Sequence, residues 1–208
     1  MSGRRHRDER GSILIEMMFI VPFLMTLALG LFEVGMMLRN DVAIANATRT
    51  TARVGSSAGN APTGDFEMLS AFGAAIANVK SATINYVVVY RVTGSNTTPT
   101  NACIISTSGG VSNQCNTYSA ADIAAIVANP TSAKTSYGGS CSGSGKDTKW
   151  CPATRIIDQG STNGPDFLGV ALSITVPTYT NLFGVTKTFT DSFVMRLDPT
   201  GVHNAGSP

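Results

Sequence analysis

Charge and histidine are both scarce in this sequence. Only 13% of its 208 residues are charged and the formal net charge is +2, which disfavours a nucleic-acid-binding protein because such proteins carry strongly basic surfaces. The two histidines, His6 and His203, lie in the terminal tails. The sequence also lacks a phosphate-binding glycine loop that ends in Lys-Ser or Lys-Thr. We therefore predict a chain that is not an enzyme and that uses no cofactor and no metal ion.

One short segment resembles a catalytic motif. Residues 139–143, Gly-Ser-Cys-Ser-Gly, follow the G-x-S-x-G pattern of the nucleophile elbow. That motif needs a strand before it, a helix after it and a histidine base. Here the flanking sequence is typical of loops, so we predict no catalytic residue in this segment.

Cysteine is also rare, and its placement is informative. The chain has only four cysteines, Cys103, Cys115, Cys141 and Cys151. An even number in an exported region favours two disulfides, for which three pairings exist. We favour Cys103–Cys115 and Cys141–Cys151, because each bond would close a short loop rich in Gly, Ser and Asn. Zinc is the weaker alternative, since neither pair has the C-x2-4-C spacing of zinc sites.

The most apolar stretch of the chain runs from Ile13 to Leu38. Between residues 17 and 32 it carries no charge, and its only polar side chain is Thr26. This length suffices for a membrane-spanning helix. Arg4, Arg5, Arg7 and Arg10 precede it, and basic flanks stay in the cytoplasm. We therefore predict a single pass through the inner (cytoplasmic) membrane, with a cytoplasmic N-terminus and an extracytoplasmic C-terminal domain.

Two carboxylates interrupt this apolar stretch. Glu33 is expected near the far membrane interface, where a charge is tolerated. Glu16 lies only three residues inside the stretch, where an ionisable group is costly and indicates a function. Signal-peptide cleavage near Ala28-Leu29-Gly30 and an uncleaved anchor both leave Glu16 unexplained. Cleavage after Gly11 makes Glu16 the fifth residue of the mature chain.

The segment from Gly11 to Arg53 resembles a known family. Gly11-x4-Glu16-Met17-x4-Pro22 is followed by Phe32-x2-Gly35 and then by the run from Ala47 to Arg53, Ala-Thr-Arg-Thr-Thr-Ala-Arg. This pattern is similar to that of the TadE-like family, which comprises minor pilins or pseudopilins of the tight-adherence (Tad/Flp) type IV pilus. Met17 departs from it slightly, because Phe or Ala is frequent there.

The resemblance implies a function in pilus assembly, adhesion and secretion, with specific partners. A prepilin peptidase would cut between Gly11 and Ser12. Other pilin and pseudopilin subunits, an inner-membrane assembly platform and membrane lipid would be the remaining partners, and the product would also enter the extracellular pilus. In an apolar helix bundle the carboxylate of Glu16 needs a cation as its partner. The natural candidate is the Ser12 ammonium that cleavage creates on a neighbouring subunit, and this pairing would set the axial register between the two helices.

Three small or helix-breaking residues shape the same helix. Pro22 removes one backbone donor and is expected to kink or locally melt it. Gly30 and Gly35 narrow the helix and are expected to admit a close neighbour.

The rest of the chain alternates between polar and periodic segments. Ser119 and Asp122 form a capping box at the start of one helix, which Asn129-Pro130 ends. Segments 93–118 and 131–165 are predicted loops. We expect the side chains of Asp147, Asp158 and Asp166, which lie in or directly after the second loop, to be solvated. The predicted elements are a helix over 65–80, a strand over 83–92, a helix over 119–128 and strands over 167–177 and 185–197.

The predicted fold class is α+β and pilin-like, a long N-terminal transmembrane helix followed by a small antiparallel β-sheet domain with short helices. The domains are a basic leader over 1–11, an N-terminal helix over 12–60 with its transmembrane part at 13–38, and an exported domain over 61–208 with two disulfides. One alternative is a single-pass membrane protein whose disulfide-bonded extracytoplasmic domain binds a ligand without any filament. A secreted or anchored hydrolase is a remoter alternative.

Overall fold

The computed structural model describes residues 9–79, 81–93, 97–137, 141, 145–158, 161 and 164–198, with side chains from residue 13 onward. The helices are α1 (Glu9–Ala58), α2 (Gly64–Ile76), α3 (Asn101–Ile104), α4 (Ala120–Ala128) and α5 (Pro130–Tyr137). The strands are β1 (Thr83–Val92), β2 (Gly110–Val111), β3 (Cys115–Tyr118), β4 (Phe167–Pro177) and β5 (Thr186–Arg196). A long helix followed by an antiparallel sheet confirms the predicted α+β class.

Within the described residues the strands form one antiparallel sheet of five, in the order β2-β3-β1-β4-β5. Strand β1 pairs with β4 from Thr83↔Thr175 to Val92↔Phe167. Strand β4 pairs with β5 along its whole length, from Pro177↔Thr186 to Phe167↔Arg196. The β4–β5 turn and the start of β1 therefore lie at one end of the sheet, and the β1 end at Val92 lies at the other.

The core lies between the sheet and the second half of α1. Alternate strand residues face the helices, as the two-residue period of a strand requires. The main core comprises Ile44, Ala47 and Ala52 of α1, Met68, Leu69 and Phe72 of α2, Val87 and Val89 of β1, and Leu168, Val170, Leu172 and Ile174 of β4. The opposite face carries a smaller cluster around Val88 and Tyr90. Burial on both faces explains why β1 reads as a continuous apolar run.

Two predicted loops contain regular structure. Segment 93–118 holds α3, β2 and β3, and segment 131–165 holds most of α5 and a 3-10 turn over Pro152–Thr154. Strand β3 has the sequence Cys-Asn-Thr-Tyr, too short and polar to show a strand pattern. Pro130 follows the end of α4 as predicted, but it also begins α5, because proline is well tolerated in the first helical turn.

The four cysteines form two disulfides, Cys103–Cys115 and Cys141–Cys151. This is the pairing that the short loops favoured. The first bond ties α3 to the start of β3 and joins the smaller cluster of the sheet. Residues 139, 140, 142 and 143 of the elbow-like segment lie outside the described residues.

A buried ion pair holds together segments that are far apart in sequence. Arg155 Nη2 donates to Asp65 Oδ1 at 2.5 Å, and both side chains are fully buried. The other carboxylate oxygen of Asp65 accepts from Tyr118 Oη at 2.6 Å and Asn116 Nδ2 at 2.7 Å. The guanidinium of Arg155 also lies 4.3 Å from the Trp150 ring centroid. This cluster joins the first turn of α2, strand β3 and the loop before β4.

The prediction that Asp147, Asp158 and Asp166 are solvated is wrong for at least two of them. Asp147 is fully buried, and Asp166 is 9% exposed, where it accepts from Arg91 Nη2 at 2.7 Å. Burial, and then the nearby Asp65 charge, raise the pKa of Asp147 to about 6. The ionised form of this side chain is therefore disfavoured in the folded protein.

The raised pKa of Asp147 predicts a pH-dependent stability. Because the folded-state pKa lies above the unfolded value, the folded state binds the extra proton, and stability falls as pH rises from about 4 to about 7. We expect Asp147→Asn to remove up to about 3 kcal/mol of this dependence. Thermal unfolding of the oxidised protein over that pH range measures it. Asp41→Asn, at an exposed position of α1, is the control, and a profile altered equally by both variants would contradict the prediction.

Candidate assembly surface on helix α1

The first half of α1 projects from the domain without any cover. Every large apolar side chain from Ile13 to Phe32 is between 40% and 74% exposed. At 1.5 Å per residue, residues 13–32 span about 30 Å, which is the thickness of a bilayer core. Within the part of the chain that the structure describes, α1 is the one helix long and apolar enough to cross a membrane. We call residues 13–32 the free half of α1.

Glu16 is the one carboxylate of the free half. It is exposed, one turn from Ile13 and Ile20, which are themselves 56% and 40% exposed. The backbone of Gly11 and Ser12 is helical and continuous with this segment. An amino group created at Ser12 would lie one helical turn, about 6 Å along the axis, from Glu16. The register function assigned to Glu16 therefore stays a prediction that the geometry permits.

Helix α1 continues unbroken through Pro22, so the local melting that its sequence allowed is not observed. The expected kink stays a prediction. Thr26 Oγ1 donates to the Pro22 carbonyl oxygen at 2.9 Å. The only polar side chain between residues 17 and 32 is therefore satisfied within its own helix, which lowers the cost of placing it in an apolar environment.

Glu33 marks the point where α1 meets the sheet domain. Its side chain is 1% exposed because the sheet domain covers it, and its expected position near the far membrane interface stays a prediction. Glu33 Oε2 accepts from the backbone N–H of Thr180 at 3.0 Å, and Thr180 belongs to the β4–β5 turn. The second oxygen, Oε1, is buried without a hydrogen-bond partner among the described residues.

The same turn packs beside the end of the free half. The ring of Tyr179 meets that of Phe32 edge to face, with 6.1 Å between centroids. A Cβ on Gly30 would lie 4.0 Å from Leu182 Cδ2, so this turn of the same chain lies beside Gly30, and the close approach of a second helix there stays a prediction. At Gly35 a Cβ would meet nothing within 4 Å.

The second half of α1 lies along the sheet. The guanidinium of Arg49 sits 5.9 Å from the Phe193 ring centroid, within the range of a cation–π contact. Ser56 Oγ donates to the Arg196 carbonyl oxygen at 2.6 Å. Helix α1 and strand β5 therefore run in the same direction away from the β4–β5 turn. Arg49 lies about 24 Å beyond Glu33 along the helix.

No function was predicted for residues 178–185. The sequence left 178–184 between two predicted strands and gave Val185 to the second of them, yet this segment contacts Phe32 and Glu33 and lies beside Gly30. A signal was present, because Leu182-Phe183 is an apolar pair in a turn that contains no charge, whereas turns are usually rich in Gly, Asn, Asp and Ser. Among the described residues, no group of three or more His, Cys, Asp or Glu side chains is placed to hold a metal ion.

The Glu33 contact predicts a specific effect of substitution. Glu33→Leu leaves the Thr180 N–H without its acceptor, which costs about 1–3 kcal/mol when the group stays buried. We expect amide hydrogen exchange at Thr180 to accelerate in this variant. Glu33→Gln keeps an acceptor oxygen and serves as the control with slow exchange. Equal exchange at Thr180 in both variants and the wild type would show that Glu33 does not hold the turn.

Comparison with known proteins bears on the N-terminal segment. Residues 11–53 match the family model described as TadE-like protein. No curated protein and no solved structure gave a significant match. The matched range begins at Gly11, contains Glu16 and Pro22, and ends at Arg53 in the second half of α1, which lies along the sheet. Residues 11–53 are therefore similar to the TadE-like family, which confirms the resemblance seen in this segment of the sequence.

Proposed function

We propose that this chain is a minor pilin or pseudopilin of a Tad/Flp type IV pilus, and that it acts in pilus assembly rather than as an enzyme. The observation that carries the proposal is the free half of α1, which lies in the TadE-like segment and has one carboxylate, Glu16. Adhesion and secretion depend on the assembled pilus. The sheet domain stays on the extracytoplasmic side of the inner membrane.

The shape of the free half supports this function. A helix that is apolar on every side is stable only when lipid or other helices surround it. Before assembly, lipid surrounds α1 in a single membrane pass. After assembly, the helices of other pilin and pseudopilin subunits replace the lipid. Both environments suit the same side chains, so the segment can move from one to the other with little loss of apolar burial.

Glu16 determines how the helices pair once they have replaced the lipid. A carboxylate without a partner is costly in an apolar bundle, and removal of one member of a buried ion pair typically costs about 3–5 kcal/mol. Cleavage by a prepilin peptidase after Gly11 creates an ammonium on Ser12. The ammonium of one subunit pairs with Glu16 of its neighbour, and this pairing sets the axial register. The assembly platform in the inner membrane then receives a subunit with a defined position.

Substitution of Glu16 tests the register function. We expect Glu16→Ala to be inserted and processed normally, because an apolar residue suits the span. Its incorporation into filaments should fall about a hundredfold or more, which corresponds to the 3–5 kcal/mol of a broken buried pair. Immunoblots of membrane and sheared-filament fractions measure the distribution.

Met17→Ala is the matched control, because it truncates an exposed neighbour, 52% exposed, and leaves the charge intact. Filament incorporation of Glu16→Ala at the Met17→Ala level would refute the register function. A complete absence of the wild-type chain from filaments and from assembly complexes would instead favour an anchored binding protein.

Processing gives a separate prediction. N-terminal sequencing of the chain isolated from membranes should begin at Ser12, and Gly11→Ala should retain residues 1–11. We expect the Ala methyl group, placed directly before the scissile bond, to hinder cleavage by the peptidase. Ser12→Ala, which alters the other side of the bond, should still be cut. A mature chain that begins at Met1 or Leu31 would contradict the pilin assignment.

A further inference from the structure

The β4–β5 turn presents a surface that the proposed function does not use. Residues 178–185, Thr-Tyr-Thr-Asn-Leu-Phe-Gly-Val, contain no charged side chain, and we call them the apolar turn. Four of its side chains are exposed, at 56% for Tyr179, 46% for Leu182, 58% for Phe183 and 70% for Val185. Apolar side chains exposed side by side in this way mark an interaction surface.

The apolar turn continues the surface of the free half of α1. Tyr179 contacts Phe32, Leu182 approaches Gly30, and Thr180 binds Glu33. These contacts place the apolar turn beside the last turn of the free half. Whatever apolar environment surrounds residues 13–32 therefore also reaches the exposed side chains of the apolar turn.

Half of the eight backbone N–H groups of the apolar turn have hydrogen-bond partners within the protein. The N–H of Thr178 donates to the Val185 carbonyl, and that of Gly184 donates to the Asn181 carbonyl. The N–H of Leu182 donates to the Thr180 hydroxyl, and that of Thr180 donates to Glu33. Backbone groups in a membrane need protein partners because lipid offers none. Four N–H groups of the apolar turn already have such partners.

Cationic side chains lie beyond the apolar turn on the side of the sheet domain. Lys187 is exposed at the start of β5, where it pairs with Val176. Arg39 is exposed on α1, six residues past Glu33, or about 9 Å along the axis. Tyr rings at the membrane interface with Lys and Arg beside them are common anchors of membrane proteins. This order of apolar, aromatic and cationic groups complements the boundary between lipid tails and headgroup phosphates.

We propose that the apolar turn inserts into the extracytoplasmic leaflet of the membrane and is a second lipid-binding element beside α1. The hydrocarbon boundary then falls at Phe32–Glu33 rather than at Leu38. Lys187 and Arg39 meet the headgroup phosphates. Two contacts with the leaflet, one helix and one turn, fix the rotation and tilt of the sheet domain. This inference rests on the proposed membrane anchoring of α1.

Spin labels placed at matched positions test this inference in the full chain. All four native cysteines are disulfide-bonded, so an added cysteine can be labelled selectively in the oxidised protein. The test position is Phe183→Cys, with Val185→Cys as a second position should the first variant fold poorly. Leu24→Cys reports on the middle of the free half. Ile105→Cys, 67% exposed and near the Cys103–Cys115 bond, is the apolar control at the opposite end of the domain.

The measurement compares collisions of each label with oxygen, which concentrates in lipid, and with a water-soluble nickel complex. The protein is reconstituted at high dilution in vesicles of phosphatidylethanolamine and phosphatidylglycerol. We expect the oxygen-to-nickel ratio to be highest at Leu24, intermediate at Phe183 and Val185, and lowest at Ile105. Addition of Lys187→Gln should lower the ratio at Phe183, because a headgroup contact is lost.

Three results would overturn the inference in distinguishable ways. A ratio at Phe183 and Val185 equal to that at Ile105 places the apolar turn in water while α1 stays inserted. Protection of Phe183 that occurs only when protein is crowded in the vesicles assigns the apolar turn to a neighbouring subunit. A low ratio at Leu24 itself refutes the membrane anchoring of α1, and the inference fails with it.

Discussion

The whole structure depends on one constraint, namely that α1 is a single unbroken helix that must satisfy two different environments. From Ile13 to Phe32 it exposes apolar side chains on all sides, and from Ile44 onward it contributes buried residues such as Ala47 and Ala52 to the core of the sheet domain. Glu33 is the first buried residue of α1 among those with described side chains. Glu33 is buried there because Thr180 donates to it, so the domain and the free half meet at a defined point of the helix.

The buried ion pair of Asp65 and Arg155 gives the domain a second fixed point. Both side chains are fully buried. Burial and the Asp65 charge raise the pKa of Tyr118 well above its usual value, so the Tyr118 hydroxyl stays protonated and donates to Asp65. Such pairs contribute little net stability, but loss of one partner leaves a buried charge. The cluster therefore specifies which loop packs under α2 more than it strengthens the fold.

Much of this architecture could be predicted from the sequence, because strong periodicity is a local property. Strands β1 and β4 have the predicted bounds, and Ser119 and Asp122 form the predicted capping box. The missing parts depend on contacts that are distant in sequence. Strand β3 depends on pairing with β1 and β2, and Asp147 is buried in the folded domain where Asp65 and Arg155 influence its charge. For the candidate site, Gly11 and Glu16 were visible as a motif, whereas the apolar turn became visible only once Glu33 was seen to bind Thr180.

The long-range contacts of the domain have a consequence for its biogenesis. Asp65 and Arg155 are 90 residues apart, and the partners Ser56 and Arg196 are 140 residues apart. The sheet cannot close before β5, the last strand among the described residues, has been synthesised. Since non-local pairing is slow to form, the proposed membrane topology implies that the exported chain stays unfolded beside the membrane for a time, tethered by α1, with its four thiols open to oxidation.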